Sequence, residues 1–315
     1  MAQSHDTVAG SSCMISNKDR NGLKICKTDI SIELLTKIFC YFDRRTLLNC
    51  QLVCKQWKMV IQNYVWWKKA GLLLNKLFSR REDLAWQVYY LIYKKKPPFE
   101  RKNLLKNHSG EQRFQYWNFL HYRIRTLPYS CWKIENPPSG VPELPFSEPV
   151  FEGNPYCFAT FRDFKIHSKL EGRDPITKKT QQIDVISQGF DAYILDVLQP
   201  PIMISEWYSC QKNFPAIYEC EVELLSYPKT RSLNLNTLDS FQFTDIIEGD
   251  RLGKWQNMSH VFTNYGSGLR YIKFMHNGAY HLPIKEPICY GCKMAGACVR
   301  IMIPQGIHTD HHQFF

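Results

Sequence analysis

Tyr218, Cys220, Val222 and Leu224 alternate strictly with Glu219, Glu221 and Glu223. This spacing can sort apolar from charged side chains only in an extended strand, whose successive side chains leave on opposite faces. In a helix the same residues would be scattered around the axis. The alternation returns at Leu233 and Leu235 with Asn234 and Asn236, and at Val299, Ile301 and Ile303 with Arg300 and Met302. Turn sequences separate the runs: Asn136-Pro137-Pro138-Ser139-Gly140, Gly153-Asn154-Pro155, Gly172-Arg173-Asp174-Pro175 and Gly266-Ser267-Gly268. Strands solvated on one face and joined by turns, with no clear helices between them, predict an antiparallel β-sandwich or jelly roll beyond about residue 115.

The chain before that point has helical spacing. Leu34, Leu35, Ile38, Phe39 and Phe42 line one face, with Ser31 as N-cap and Glu33 in the first turn, where the helix dipole favours negative charge. Asp43-Arg44-Arg45-Thr46 interrupts the pattern. A second set follows at Leu47, Leu48, Leu52, Val53, Trp57 and Val60, then Val65, Trp66 and Trp67. These short helices carry more large apolar side chains than a three-helix unit can hide, which predicts a face that docks on a partner. A further helical stretch over 83–93 is expected to end at Lys94-Lys95-Lys96-Pro97-Pro98.

Charge and composition narrow the class. The net charge of +11 is confined to residues 1–135, with 24 Lys/Arg against 10 Asp/Glu; residues 136–315 hold 16 against 19. The aromatics of the basic half sit at helix-core spacing rather than interleaved with Lys/Arg, which disfavours nucleic acid as a partner. No apolar run reaches membrane-spanning length and the first residues lack a signal-peptide core, so a cytoplasmic protein without membrane insertion is expected. Most of the twelve cysteines then read as reduced thiols. Cys289-x-x-Cys292 with Cys298 lacks a second pair of ligands, so no metal is expected. Neither a nucleophile elbow, a phosphate loop nor a His-Glu-x-x-His occurs, and no catalytic residue is assigned.

The segment Ile30-Ser31-Ile32-Glu33-Leu34-Leu35, followed by Ile38, Phe39, Phe42, Leu47-Leu48, Val53-Cys54, Trp57 and Trp66, resembles an F-box, with Ser31 in place of the usual proline and Ile30 in place of leucine. The rest resembles the F-box-associated domain of the glycoprotein-recognising F-box proteins. The matching stretches are Arg101-Lys102-Asn103-Leu104-Leu105-Lys106-Asn107 with Gly110-Glu111, Gln182-Ile183-Asp184-Val185 with Gly189, Ile194-Leu195-Asp196 with Pro201-Ile202, Trp207, the run from Tyr218 to Leu225, Ser259-His260-Val261-Phe262 and Gly268-Leu269-Arg270-Tyr271-Ile272. The resemblance implies a multidomain α + β chain. It would have a mobile tail over 1–24, a three-helix F-box over 25–71, a helical linker over 72–94, an antiparallel β-sandwich of galactose-binding-like jelly-roll type over 95–305, and a tail over 306–315.

It also implies a function. The chain would be a non-enzymatic, cofactor-free substrate-recognition subunit of an SCF (cullin-RING) ubiquitin ligase. Ile30, Ile32, Leu34, Leu35, Ile38, Phe42, Leu47, Leu48, Val53, Cys54 and Trp57 would meet the ligase adaptor, and through it the cullin and RING protein. The sandwich would hold a substrate protein, glycosylated or not, for proteasomal degradation. The alternative is a lectin-type adaptor that reads high-mannose N-glycans on misfolded glycoproteins for ER-associated degradation. In glycan-binding members two loops at one end of the sandwich form the pocket, which points here to Trp207, Tyr208, Asn213, Tyr280, Ile284 and Lys285. Asn213 stands where an acidic residue is expected, and Ile284 where a tryptophan would stack on the sugar. Loss of that aromatic removes about 1–2 kcal/mol of stacking, so glycan binding is expected to be weak.

Overall fold

A computed structural model describes residues 23–25, 28–74, 84–94, 96–100, 103–119, 131–144, 155–163, 178–228, 236–281 and 288–304. The chain divides into two units, Met1–Lys94 and Lys95–Phe315. Apart from residues 23, 24 and their neighbours just named, the expected tails over 1–24 and 306–315 lie outside the described residues, as does the alternation at Leu233 and Leu235.

The first unit is helical beyond a minimal antiparallel pair, β1 (Lys24–Ile25) with β2 (Thr28–Asp29). Polar side chains start each of the next three helices by accepting an otherwise unpaired backbone N–H. Ser31 caps α1 (Ile32–Cys40) through the Leu34 amide at 3.2 Å, Asp43 caps α2 (Arg44–Cys50) through Thr46 at 2.8 Å, and Cys54 caps α3 (Lys55–Val60) through Trp57 at 3.4 Å. One π-helical turn, Ile61–Val65, leads into α4 (Trp66–Leu74), and α5 (Trp86–Lys94) follows. Leu35, Phe39, Leu47, Val60, Ile61, Val65, Trp66 and Ala70 are buried, as are Val88, Tyr89, Leu91 and Ile92 of α5. The Phe39 ring meets Phe42 at 5.8 Å and Trp57 at 5.0 Å.

The second unit opens with α6 (Lys96–Glu100). Pro97 and Pro98, expected to stop a helix, also occupy the first turn of this one, where the missing N–H has no intrahelical partner to lose. The strands are β3 (Asn118–Phe119), β4 (Trp132–Glu135), β5 (Cys157–Asp163), β6 (Lys179–Asp184), β7 (Ile202–Cys210), β8 (Ala216–Leu225), β9 (Thr237–Ile247), β10 (Gln256–Phe262), β11 (Tyr271–Tyr280) and β12 (Ile288–Ile301). They form two five-stranded sheets, β10-β7-β12-β5-β4 and β3-β6-β11-β8-β9, with every pairing antiparallel. The predicted β-sandwich is present. Helix α7 (Ala192–Leu198), which the strand-and-turn reading did not separate out, starts where the Asp191 side chain accepts from the Tyr193 amide at 3.0 Å.

On β8 the predicted alternation holds on the inner face: Ala216, Tyr218, Cys220, Val222 and Leu224 are buried. Two of the three outer glutamates are tied down rather than simply wet. Glu223 accepts from Lys273 Nζ at 3.0 Å and Glu219 from Asn277 Nδ2 at 3.0 Å, both across the β8–β11 pairing.

At one end the sheets are pinched together by glycines. A Cβ on Gly278 of β11 would lie 2.6 Å from Cys292 Cβ and 2.7 Å from Met294 Cε of β12, and one on Gly291 of β12 would lie 3.2 Å from the Ala279 backbone of β11. Gly278→Val is therefore expected to force the sheets apart at a cost of about 1–3 kcal/mol. A lowered urea midpoint with an unchanged slope checks this; an unchanged midpoint would mean that the close approach is not enforced.

Candidate functional site

Two regions answer to the sequence expectations. On the helical unit, the eleven residues expected to meet the adaptor fall into three groups by burial. Leu35 and Leu47 are 2% and 0% exposed and hold the helices together, whereas Leu34, Leu48 and Val53 are 51%, 37% and 62% exposed. Ile38 is also exposed, and Ile30, Ile32, Phe42, Cys54 and Trp57 are half-buried. Tyr41 and Leu52, absent from the expected set, are more exposed than any of it, at 90% and 84%. Leu34, Ile38 and Tyr41 recur at i, i+4 and i+7, one face in helical spacing, and Leu48, Leu52 and Val53 come from α2 and the turn after it. Exposed Lys37, Arg45, Lys55 and Lys58 lie among them in sequence. An apolar set with basic neighbours is suited to a partner that covers it with apolar side chains and an acidic rim.

The second region is the pinched end of the sandwich. Tyr280, the last residue of β11, pairs with Ala216, the first of β8, and the His281 amide donates to the Pro215 carbonyl at 2.8 Å. The loop 211–215 and the chain leaving β11 are thereby bound side by side. Asn213 stands exposed in that loop. The Phe214 ring meets the edge of Tyr290 at 5.2 Å, and Lys133 Nζ lies 4.6 Å over the Tyr290 ring. Asn213 and Tyr280 thus reach the same end, while Ile284 and Lys285 lie outside the described residues. Phe214, Tyr290 and Lys133 join the tip without having been expected there; no sequence spacing links residues from three separate segments.

The other two pocket candidates are engaged elsewhere. Trp207 packs against Cys157, Trp255 and Ala295 with Val141 and Leu144. Tyr208 is buried, stacked on Tyr218 at 4.1 Å, and donates its hydroxyl to Asp245 at 2.8 Å; Arg251 donates to the same carboxylate oxygen at 2.7 Å. The Glu206-Trp207-Tyr208 motif therefore alternates between the two faces of β7. Glu206 and Tyr208 point between the sheets, and Trp207 packs on the far side.

Glu206 is the centre of a buried polar network spanning both sheets. It accepts from Tyr218 Oη at 2.6 Å and from His276 Nδ1 at 2.6 Å. His276 is stacked on Trp117 at 4.7 Å and stands opposite Lys179, whose amine sits 4.4 Å from the Trp117 ring and 4.6 Å from Trp132, against Phe158. Glu206, Lys179 and Tyr218 are wholly buried, and His276 nearly so. Burial drives the Lys179 amine well below its ordinary value against the pull of Glu206. It also pushes His276 down to about 4, with the charge of Glu206 opposing and that of Lys179 reinforcing the shift.

His276 gives the sandwich an acid limit. Its folded value is depressed below the unfolded one of about 6.5, so the folded state refuses a proton that the unfolded chain accepts. Stability is full above pH ~6.5 and is lost as pH falls towards 4, by up to about 3 kcal/mol. Asp196, held low by Arg270, and Glu135, held low by Lys133 and Lys293 against its burial, act further down in the carboxylate range. A thermal midpoint flat between pH 6.5 and 4.5 in the wild type would refute the assignment to His276.

Cys292 and Cys298 lie within β12. Among the described residues no three His, Cys, Asp or Glu side chains gather as metal ligands, and no helix is long and apolar enough to cross a membrane.

With both regions placed, comparison with known proteins is direct. A family model described as F-box associated region matches residues 93–301, and one described as F-box-like matches residues 32–71. The chain belongs to the F-box proteins with an F-box-associated region. F-box only protein 6 of Rattus norvegicus is 26% identical over 250 residues, covering 78% of this chain and 77% of the relative. F-box only protein 2 of Bos taurus is 29% identical over 238 residues, covering 73% and 68%. F-box only protein 44 of Homo sapiens is 25% identical over 252 residues, covering 79% and 86%. The F-box match spans α1 through the first part of α4, the elements that present the apolar set. The F-box-associated match takes in both sheets.

Proposed function

We propose that this F-box protein is the substrate-recognition subunit of a cytoplasmic SCF-type cullin-RING ubiquitin ligase. The observation that carries the reading is the split within the F-box: Leu35 and Leu47 close the core while Leu34, Ile38, Leu48, Leu52 and Val53 stay in water. Large apolar side chains exposed in this number mark a docking surface. The adaptor subunit would cover them, and the cullin and RING protein would follow through it. The chain itself supplies no chemistry. It raises the effective concentration of a substrate lysine beside a charged ubiquitin-conjugating enzyme.

The substrate would be gripped at the pinched end, by Asn213, Tyr280, Ile284 and Lys285, with Trp207 and Tyr208 supporting the strand beneath. The replacements at Asn213 and Ile284 favour a protein or peptide feature over a glycan. Sugar hydroxyls exchange water for protein hydrogen bonds at small net gain, so a shallow site without its stacking face has little affinity to lose. Isothermal titration with a high-mannose glycan is expected to give millimolar binding at best. Micromolar binding that is lost on Tyr280→Ala would instead establish the lectin-type reading.

A further inference from the structure

We infer that Cys210 and Cys292 form a redox-sensitive pair that closes to a disulfide between β7 and β12 at the base of the sandwich tip. The two residues stand directly opposite each other in the antiparallel pairing of these strands, and both are free thiols wholly buried. Both side chains lie between the sheets. Glu206 and Tyr208, on the same face of β7 as Cys210, reach Tyr218 of the other sheet, and a Cβ on Gly278 of that sheet would meet Cys292 Cβ.

The backbone shows which kind of cross-strand pair this is. The Cys292 amide donates to Thr160 Oγ1 at 2.9 Å, and its carbonyl accepts from the same hydroxyl at 3.3 Å, so both groups face β5. The Cys210 carbonyl accepts from the Gly253 amide at 3.1 Å, on the side away from β12. Neither residue turns its backbone groups on the other, which makes theirs a non-hydrogen-bonded pair. In such pairs the Cα atoms approach to about 4.5 Å, inside the range of about 4.4–6.8 Å that a disulfide spans. The sulfurs can join without displacing either strand. Other strand cysteines lack this arrangement: Cys157 faces Glu135, Cys220 faces His276 and Phe243, and Cys298 faces Ser205.

Burial raises both thiols, so the pair is silent while the tip is closed and reacts as the loop 211–215 opens. At Cys210 the Gly253 amide and the positive charges of Lys293 and Arg251 partly offset burial, whereas at Cys292 the charge of Glu206 adds to burial and the Ser209 amide opposes it, so Cys210 is the first to ionise. With hydrogen peroxide as oxidant, the Cys210 thiolate attacks one oxygen, the O–O bond breaks and hydroxide leaves, giving the sulfenic acid. The Cys292 sulfur then attacks the Cys210 sulfur, and the S–O bond breaks. The departing hydroxide takes the Cys292 proton. Two thiols have lost two electrons and two protons, and one peroxide has become two waters. The product ties the root of the loop 211–215 to β12, the two segments that feed the tip.

The test treats the full-length chain with hydrogen peroxide, alkylates the remaining thiols in denaturant, and maps tryptic peptides by mass spectrometry. The expected product joins peptide 180–212 to peptide 286–293 through Cys210 and Cys292, is two hydrogens lighter than the separate peptides, and is released by dithiothreitol. Fragmentation distinguishes Cys292 from Cys289 in the second peptide. Urea below the unfolding transition should speed its formation several-fold. Recovery of Cys210 and Cys292 as alkylated thiols after the half-buried Cys40, Cys50 and Cys54 have oxidised would overturn the inference, as would linkage of Cys210 to Cys289. Neither result depends on a variant that must fold.

Discussion

Glu206→Ala is expected to lower the stability of the sandwich by about 3–5 kcal/mol, the cost of breaking a buried charged network by removing one member. Two groups lose a hydrogen-bond partner at once, Tyr218 Oη and His276 Nδ1, each 2.6 Å from a Glu206 oxygen, and the Lys179 amine loses the nearby carboxylate charge that favours its charged form. None can turn to water, because the network is sealed between the sheets behind Trp117, Trp132 and Phe158. For a unit of this size each kcal/mol moves the thermal midpoint by about 2–4 °C, so the fall should be on the order of 10 °C. Glu206→Gln keeps an acceptor for both hydrogen bonds and should cost less. A midpoint within 2 °C of wild type for the alanine variant, well inside the expected range, would show that the network does not hold the sheets together.

Much of this fold is legible in sequence, for a physical reason. The alternation from Tyr218 to Leu224 has only one solution in three dimensions, and the cap Ser31 sits where a helix start needs it, whereas Asp43 reads as a break in the pattern and proves to be the cap of α2. Helix α7 is harder to see. Its seven residues, Ala192 to Leu198, are too few to distinguish a helical period from a short apolar strand, and only the cap at Asp191 signals it. The sites are less legible than the elements. Leu34 and Leu35 are neighbours with the same chemistry, yet one is exposed and the other buried, because 100° of helical rotation separates them. Trp207 and Tyr208 read as a pocket pair, but the strand sends them to opposite faces. At the tip, Phe214, Tyr290 and Lys133 meet, and Asn213 and Tyr280 reach the same end, through pairing among β4, β5, β8, β11 and β12, which no linear spacing records.

The largest effect on association is expected from Leu34→Asp combined with Leu48→Asp. Both side chains are exposed, so the helices keep Leu35, Phe39 and Leu47 and should fold as before. In the complex each aspartate would have to give up water inside an apolar interface with no partner for its charge. An anchor of this kind carries about 2 kcal/mol, or roughly thirtyfold in affinity, and the second substitution adds to the first. Leu35→Asp, by contrast, should unfold the helical unit before binding can be measured. The direct measurement is the affinity of the full-length chain for the purified adaptor subunit of cullin-RING ligases, by isothermal titration at physiological salt with circular dichroism as the folding control. Tight binding by the wild type, weakened at least about a hundredfold in the folded double variant, is the expected result. Absence of binding by the wild type, or equal affinity for the double variant, would contradict docking through this face.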